Sequence, residues 1–220
     1  IAVIVAIRSI SLVSEKAVAI NLDNLGANIL VLPQGATIDN YYSADIDAPT
    51  IPEEYVERIL TSSLQGVDNL SPKLTRRVDI GDQNFVLTGI LPANELASKP
   101  LWQTTGLFGA ELAASCGENP QNESLGYKDE KLQRKSIDSL AMADCLLGYS
   151  AAQKLGLKDG DALTILGHDL KVARVLSETG TIDDDRVFAH LKTVQNILGI
   201  QGQVSAIEIM GCCNAISDGL

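Results

Sequence analysis

Within residues 11–25 the apolar side chains Val18, Leu22 and Leu25 recur at spacings of four and three, while Glu15 and Asp23 point elsewhere. That period predicts an amphipathic helix, closed by Gly26 as its left-handed C-terminal residue. Residues 27–33 (ANILVLP) form a short apolar run rich in branched side chains and stopped by Pro33, which reads as a strand covered on both faces. A polar loop follows over 34–48. Thr50, with Pro52 in the first turn and Glu53 three positions on, has the pattern of a capping box and predicts a helix carrying Val56, Ile59 and Leu60 on one side.

Residues 70–80 and 84–91 read as two strands of a hairpin, with Gly81 supplying the positive φ of a type II′ turn before Asp82. Pro92 ends the second strand. Residues 93–139, rich in Gly, Asn, Ser and charges, are too long for an ordinary connection and mark an insertion or a boundary. Regular texture resumes with the apolar run 140–147. Ser150 then caps a short helix (AAQKL) ended by Gly156, and strands 162–166 and 170–176 follow, joined by a reversal at Gly167-His168. A strand at 186–189, a helix at 191–198 stopped by Gly199 and a strand at 204–210 make a β-α-β unit with an expected right-handed crossover. The outer thirds therefore share an α/β style that the middle lacks. The chain is expected to be α+β: a discontinuous α/β domain over 1–92 and 180–220, with a β-rich domain over 93–179 inserted into it.

Composition supports folding and narrows the partners. With 220 residues, 45% of them hydrophobic and 20% charged, the chain can bury a core without metal or dense disulfides. A net charge of −11 repels phosphate backbones and argues against nucleic acid, leaving protein or small-molecule partners. Residues 1–7 (IAVIVAI) are apolar throughout but fall short of the roughly 20 residues of a bilayer span and lack the basic start of a secretory signal. Two readings fit them, a buried strand or the outer end of a membrane helix.

Candidate chemistry is sparse. Cys116, Cys145, Cys212 and Cys213 could form up to two bridges, but no CxxC or Cys/His ligand spacing accompanies them, which argues against zinc. The adjacent Cys212 and Cys213 strain badly if bonded to each other. One of them pairing with Cys145 or Cys116 is the expectation for an oxidising compartment, against reduced, buried thiols as the alternative. No Walker, dinucleotide-binding or GxSxG motif is present. His168 falls in a predicted hairpin turn and His190 at a helix start, positions that suit turn and cap roles better than catalysis. Asp183, Asp184 and Asp185, with Glu178 upstream, depart from the calcium-loop spacing and read as a solvated loop. Trp102, Phe108, Tyr41 and Tyr42 are too scattered for a base-stacking platform and are assigned to packing of the inserted region. No catalytic, cofactor-binding or metal-ligating residue is expected.

Several strings, in order, carry a family resemblance: LGANILVLP (25–33), GILP (89–92), LGYSAAQKLGLKDGD (147–161), VARVL (172–176), and RVFAHLKTVQ (186–195) leading to VSAIE (204–208). Together they resemble the extracytoplasmic domain of ABC transporter permeases of the MacB and FtsX type. The resemblance implies a domain between two membrane helices, made of a discontinuous porter-like part and an inserted sabre-like part, without catalytic residues or cofactor. It implies a separate cytoplasmic ATPase subunit, a second permease copy, and a periplasmic or outer-membrane protein as partners, with the membrane reached through flanking helices. The implied location is the bacterial inner membrane, this domain lying in the periplasm. A continuous helix through residues 1–25 would serve as a stiff lever, and Ile1 and Leu220 would emerge at the same end. Competing readings are a soluble α/β small-molecule-binding protein and an enzyme using Asp183 to Asp185 with a divalent ion.

Overall fold

Strand β3 (Val67–Ile80) is the spine of the computed structural model, which describes residues 27–44, 48–62, 66–99 and 140–211. Alternation along β3 sends Leu70, Leu74, Val78 and Ile80 to one face and Ser71, Lys73 and Thr75 to the other. β4 (Gln83–Ile90) returns antiparallel, with Ile80 opposite Gln83 and Gly81 at φ 60, the tight hairpin expected there.

The remaining strands are β1 (Ile29–Val31), β2 (Ile51–Pro52), β5 (Asp144–Leu147), β6 (Ala162–Ile165), β7 (His168–Val175), β8 (Arg186–His190), β9 (Gln203–Val204) and β10 (Ala206–Gly211). Among the described residues, eight of the strands form one sheet in the order β1-β10-β3-β4-β8-β5-β7-β6, and β2 pairs with β9. β8 runs parallel to β4, which is antiparallel to β3, itself antiparallel to β10. The expected β-α-β unit is therefore present as β8, helix α5 (Leu191–Leu198) and β10, with β4 and β3 lying between its strands. Strands β5, β6 and β7, from the middle of the chain, hydrogen-bond through β5 to β8 and so continue the same sheet.

The two faces differ. One carries the main core, with Leu74, Leu87, Cys145, Val187 and Ile207, and packs against α2 (Glu54–Leu60), α4 (Tyr149–Leu155) and α5. The other holds a smaller cluster of Ile90, Leu96, Leu140, Leu146, Leu176 and Phe188 beneath α3 (Pro92–Ser98). α1 (Ile38–Ser43) completes the helices discussed here.

Several local expectations need correction, each for a physical reason. The loop foreseen over 34–48 contains α1, which starts just after Thr37 with Asp39 in its first turn and buries Tyr41. Thr50 caps nothing. Residues 51–52 are drawn into the β2–β9 pair, so Thr50 Oγ1 donates instead to Gln203 Oε1 at 3.1 Å and the helix starts at Glu54. The irregular stretch after Pro92 opens as α3, because proline's missing N–H and preset φ suit a first helical turn. Among the described residues β1 pairs with β10 alone at the end of the sheet, and with Ile29 37% exposed it is not covered on both faces. The reversal between β6 and β7 lies one residue earlier than foreseen, at Leu166 (φ 49) and Gly167 (φ 82). His168 thereby becomes the first residue of β7. The helix foreseen over 11–25 lies outside the described residues.

Candidate functional site

Two features organise the molecule for function, a paired exit of the chain and a buried string of charges beside it. β1 and β10 are antiparallel neighbours, with Ile29 opposite Ile209 and Val31 opposite Ile207. At their open end Asn28 clamps Gly211: its Nδ2 donates to the Gly211 carbonyl at 2.9 Å and its Oδ1 accepts from the Gly211 N–H at 2.9 Å. The Asn28 N–H also donates to the Ile209 carbonyl at 3.1 Å. Residues 28 and 211, at the two limits of the sheet, thus lie side by side. Ile1 and Leu220 themselves lie outside the described residues.

Glu208 stands on β10 three residues in from that clamp. The Tyr41 hydroxyl on α1 donates to Glu208 Oε1, and Lys73 Nζ on β3 lies 2.5 Å from Glu208 Oε2 and 3.0 Å from Glu95 Oε1 on α3. Ser71 Oγ donates to Glu95 Oε2 at 2.7 Å. Lys99, one residue past α3, is 3.4 Å from Glu95 Oε1 and pairs with Asp183, whose other oxygen lies 4.0 Å from Arg186. The side chains of Lys73 and Glu95 are both 0% exposed. Burial alone would raise the Glu95 pKa, but Lys73 and then Lys99, with hydrogen bonds from Ser71 and Lys73, hold it down at about 2. Burial likewise works against the Lys73 ammonium, and the charges of Glu95 and Glu208 reverse this and raise its pKa. Tyr41 is raised by burial first, then by the charge and hydrogen bond of Glu208. Its phenol stays a donor.

The acidic run behaves differently from the solvated loop expected of it. Asp183 and Asp184 are buried, in a 3₁₀ turn (Ile182–Asp185), and only Asp185 reaches solvent. Asp184 accepts from the Thr179 N–H at 3.0 Å, the Gly180 N–H at 2.8 Å and the Thr179 hydroxyl at 2.9 Å, while Asp185 pairs with Lys154 at 2.7 Å. The carboxylates face three separate sets of protein partners, which leaves no shared cation position. The turn also packs tightly on the start of α4, where a Cβ at Gly148 would come within 2.1 Å of the Asp183 carbonyl oxygen.

The other foreseen residues are dispersed. His190 caps α5, its Nδ1 accepting from the Lys192 N–H at 3.2 Å, and burial followed by the nearby Lys192 charge lowers its pKa. Cys145 is a free thiol in the core of β5, pushed up to about 12 by burial and then by Asp144; Cys116, Cys212 and Cys213 lie outside the described residues. Trp102 and Phe108 also lie outside them. Tyr41 and Tyr42 pack edge to face at 5.2 Å on α1, beside β10 rather than with the middle of the chain. Sequence reasoning missed Lys73, Glu95, Lys99 and Glu208. The available signal was a charge within an apolar strand, Lys73 in LSPKL and Glu208 in AIEIM.

Fold and exit together define an α+β domain whose first and last described strands are neighbours, with its buried charged groups paired to one another. The chain belongs to the family described as the MacB-like periplasmic core domain, which matches residues 1–211. It is thus a periplasmic domain of an ABC transporter permease, a class that works with an ATPase and is embedded in a membrane. The periplasmic region of MacB from Actinobacillus actinomycetemcomitans is similar in fold, with TM-score 0.51 and 12% identity over 90% of this chain and 82% of that one. The extracellular domain of the noncanonic ABC-type transporter YknZ from Gram-positive bacteria superposes with TM-score 0.49 and 14% identity, covering 86% of each chain. No curated protein matches the sequence significantly. Among the described residues, no helix is long and apolar enough to cross a membrane.

Proposed function

We propose that this domain is a passive lever: motion driven by a separate cytoplasmic ATPase reaches it through the chain on either side of residues 28 and 211. The domain transmits that motion to expel or release a substrate, or to control a protein of the envelope. The observation that carries this reading is the Asn28–Gly211 clamp, since a domain hung from two adjacent strands must follow both flanking segments together. Its other parts are a second permease copy, a periplasmic or outer-membrane protein partner, and a location on the periplasmic face of the bacterial inner membrane. The division into a porter-like part (1–92 and 180–220) and an inserted part (93–179) belongs to the same reading. Its support is that Lys99 and Asp183, at the two ends of the middle segment, are ion-paired, as the ends of an insertion must be close. A disulfide among the cysteines remains part of the proposal only for Cys116, Cys212 and Cys213, given the free thiol of Cys145.

The test is hydrogen exchange on the full permease in nanodiscs with its ATPase, comparing the nucleotide-free and the vanadate-trapped state. Altered exchange at the amides of residues 28–31 and 206–211 is the expected result. Unchanged exchange throughout the domain across the ATP cycle, or substrate turnover by the purified domain alone, would overturn the lever.

A further inference from the structure

The clamp explains how motion enters at β1 and β10, but the sheet alone offers no short route from there to the middle segment, because β3 and β4 intervene before β8. A second route runs across the face under α3. It passes from Tyr41 to Glu208, Lys73, Glu95, Lys99, Asp183 and Arg186, joining α1, β10, β3, α3 and the 3₁₀ turn before β8. Acids and bases alternate along it. It crosses β10 at Glu208, three residues from Gly211, and ends where the 93–179 segment returns to the sheet.

We propose that this buried string of ion pairs is a latch coupling the exit strand β10 to the neck formed by Lys99 and Asp183, so that displacement of one loosens the other. The proposal rests on the lever reading above and adds to it the path by which the middle segment is reached. The physical argument is the cost of separation. Lys73 and Glu95 are fully buried, and in such surroundings a charge deprived of its partner is strongly disfavoured, whereas a charge that moves with its partner is not. Lys73 bridges Glu208 and Glu95, so a shift of β10 that carries Glu208 away leaves Lys73 under-compensated unless it follows. Lys99 in turn bridges Glu95 and Asp183. Lys73 and Lys99 are each shared between an upstream and a downstream carboxylate, which makes the string move or break as a unit.

Chain topology supplies a second reason. α3 is held on β3 by hydrogen bonds, with Asn69 Nδ2 donating to the Asn94 carbonyl and to Ser98 Oγ at 2.8 Å, Asn94 Nδ2 to Asn69 Oδ1 at 3.2 Å and Ser71 Oγ to Glu95 at 2.7 Å, while Leu96 enters the small cluster beneath. The ion pairs of Glu95 and Lys99 are what tie the helix both to the exit strand and to the neck.

The experiment is residue-resolved hydrogen exchange on the full permease without nucleotide, with Glu208→Gln as the perturbation at the exit. The neck amides of Thr179, Gly180 and Asp184 should exchange about tenfold faster, while those of β6 and β7 stay unchanged. Tyr41→Phe, which removes one hydroxyl, gives a milder change of the same sign and serves if Glu208→Gln fails to fold. In a Lys73→Met/Glu95→Leu background, where the sheet is kept but the string is cut, Glu208→Gln should no longer reach the neck. Neck rates within about twofold of the parent in the folded variants, or a full response surviving in the cut background, would overturn the latch. Because no ATP is used, those results leave the lever itself standing, and an unresponsive ATP cycle would count against the lever without touching the latch.

Discussion

Removing the Lys73 side chain leaves Glu95 with Lys99 alone and strips Glu208 of its ammonium partner, both in a region almost closed to water. Lys73→Ala is therefore expected to lower unfolding stability by about 3–5 kcal/mol, the range found when one member of a buried pair is deleted. Replacing the pair by Lys73→Met/Glu95→Leu should recover part of that loss, since the fully buried Glu95 carboxylate is then gone and only Glu208, which keeps some exposure, lacks its ammonium partner. Urea denaturation of the three proteins checks it, and equal losses in both variants would show that packing rather than charge dominates. The same pair sets a pH dependence. Glu95 is held at about 2, below its ordinary 4.5, so its contribution is complete above about pH 4.5 and disappears as pH falls toward 2. Lys73 is raised above 10.5, so its contribution holds up to that pH and is lost beyond it. The expected result is a melting temperature that falls between pH 4.5 and 2, with a shallower fall in the Lys73→Met/Glu95→Leu variant; parallel curves would refute the assignment. The anomaly at these residues was visible in the sequence as charges inside apolar strands. Their partners were not, because Glu208 and Lys73 meet only when β10 lies beside β3.

At the scale of elements, local chemistry and tertiary pairing divide the results. Gly156 and Gly199 end their helices in the left-handed conformation, as expected from sequence. His190 caps α5 as its position suggested. Where another strand competes, the local signal loses, as at Thr50, whose capping box is overridden by the β2–β9 pair. The β6–β7 turn is an instructive misfit. Both central residues have positive φ, yet the first is Leu166, whose Cβ disfavours that region and whose side chain is 55% exposed. Leu166→Asn should stabilise the protein by about 0.5–1 kcal/mol, because Asn-Gly suits a type I′ turn. A thermal melt measures it. A decrease in melting temperature would mean that Leu166 has packing value that its exposure hides.

For the whole molecule, the decisive arrangement is the meeting of residues 28 and 211, far apart in the chain and adjacent in space. Asn28→Ala removes both side-chain bonds to Gly211 while leaving the β1–β10 ladder. It is expected to cost about 1–2 kcal/mol, concentrated at the exit, so that the Gly211 amide exchanges faster while the amides of β4 and β8 are unaffected. Uniform acceleration across the sheet would instead mark Asn28 as a support of the entire fold.

The sequence by itself determined the α+β class, the hairpin at Gly81, the β8–α5–β10 unit, and, through the order of its motifs, membership of a periplasmic permease family, because each of these is written in residues close together along the chain. Tertiary structure alone decided that β1 lies outermost among the described strands beside β10, that Asp183 and Asp184 are buried, that β5 to β7 extend the main sheet, and that seven side chains from several elements form one continuous string. Contacts of that kind depend on which strands become neighbours, and strand order is settled by burial over the whole sheet rather than by any local pattern.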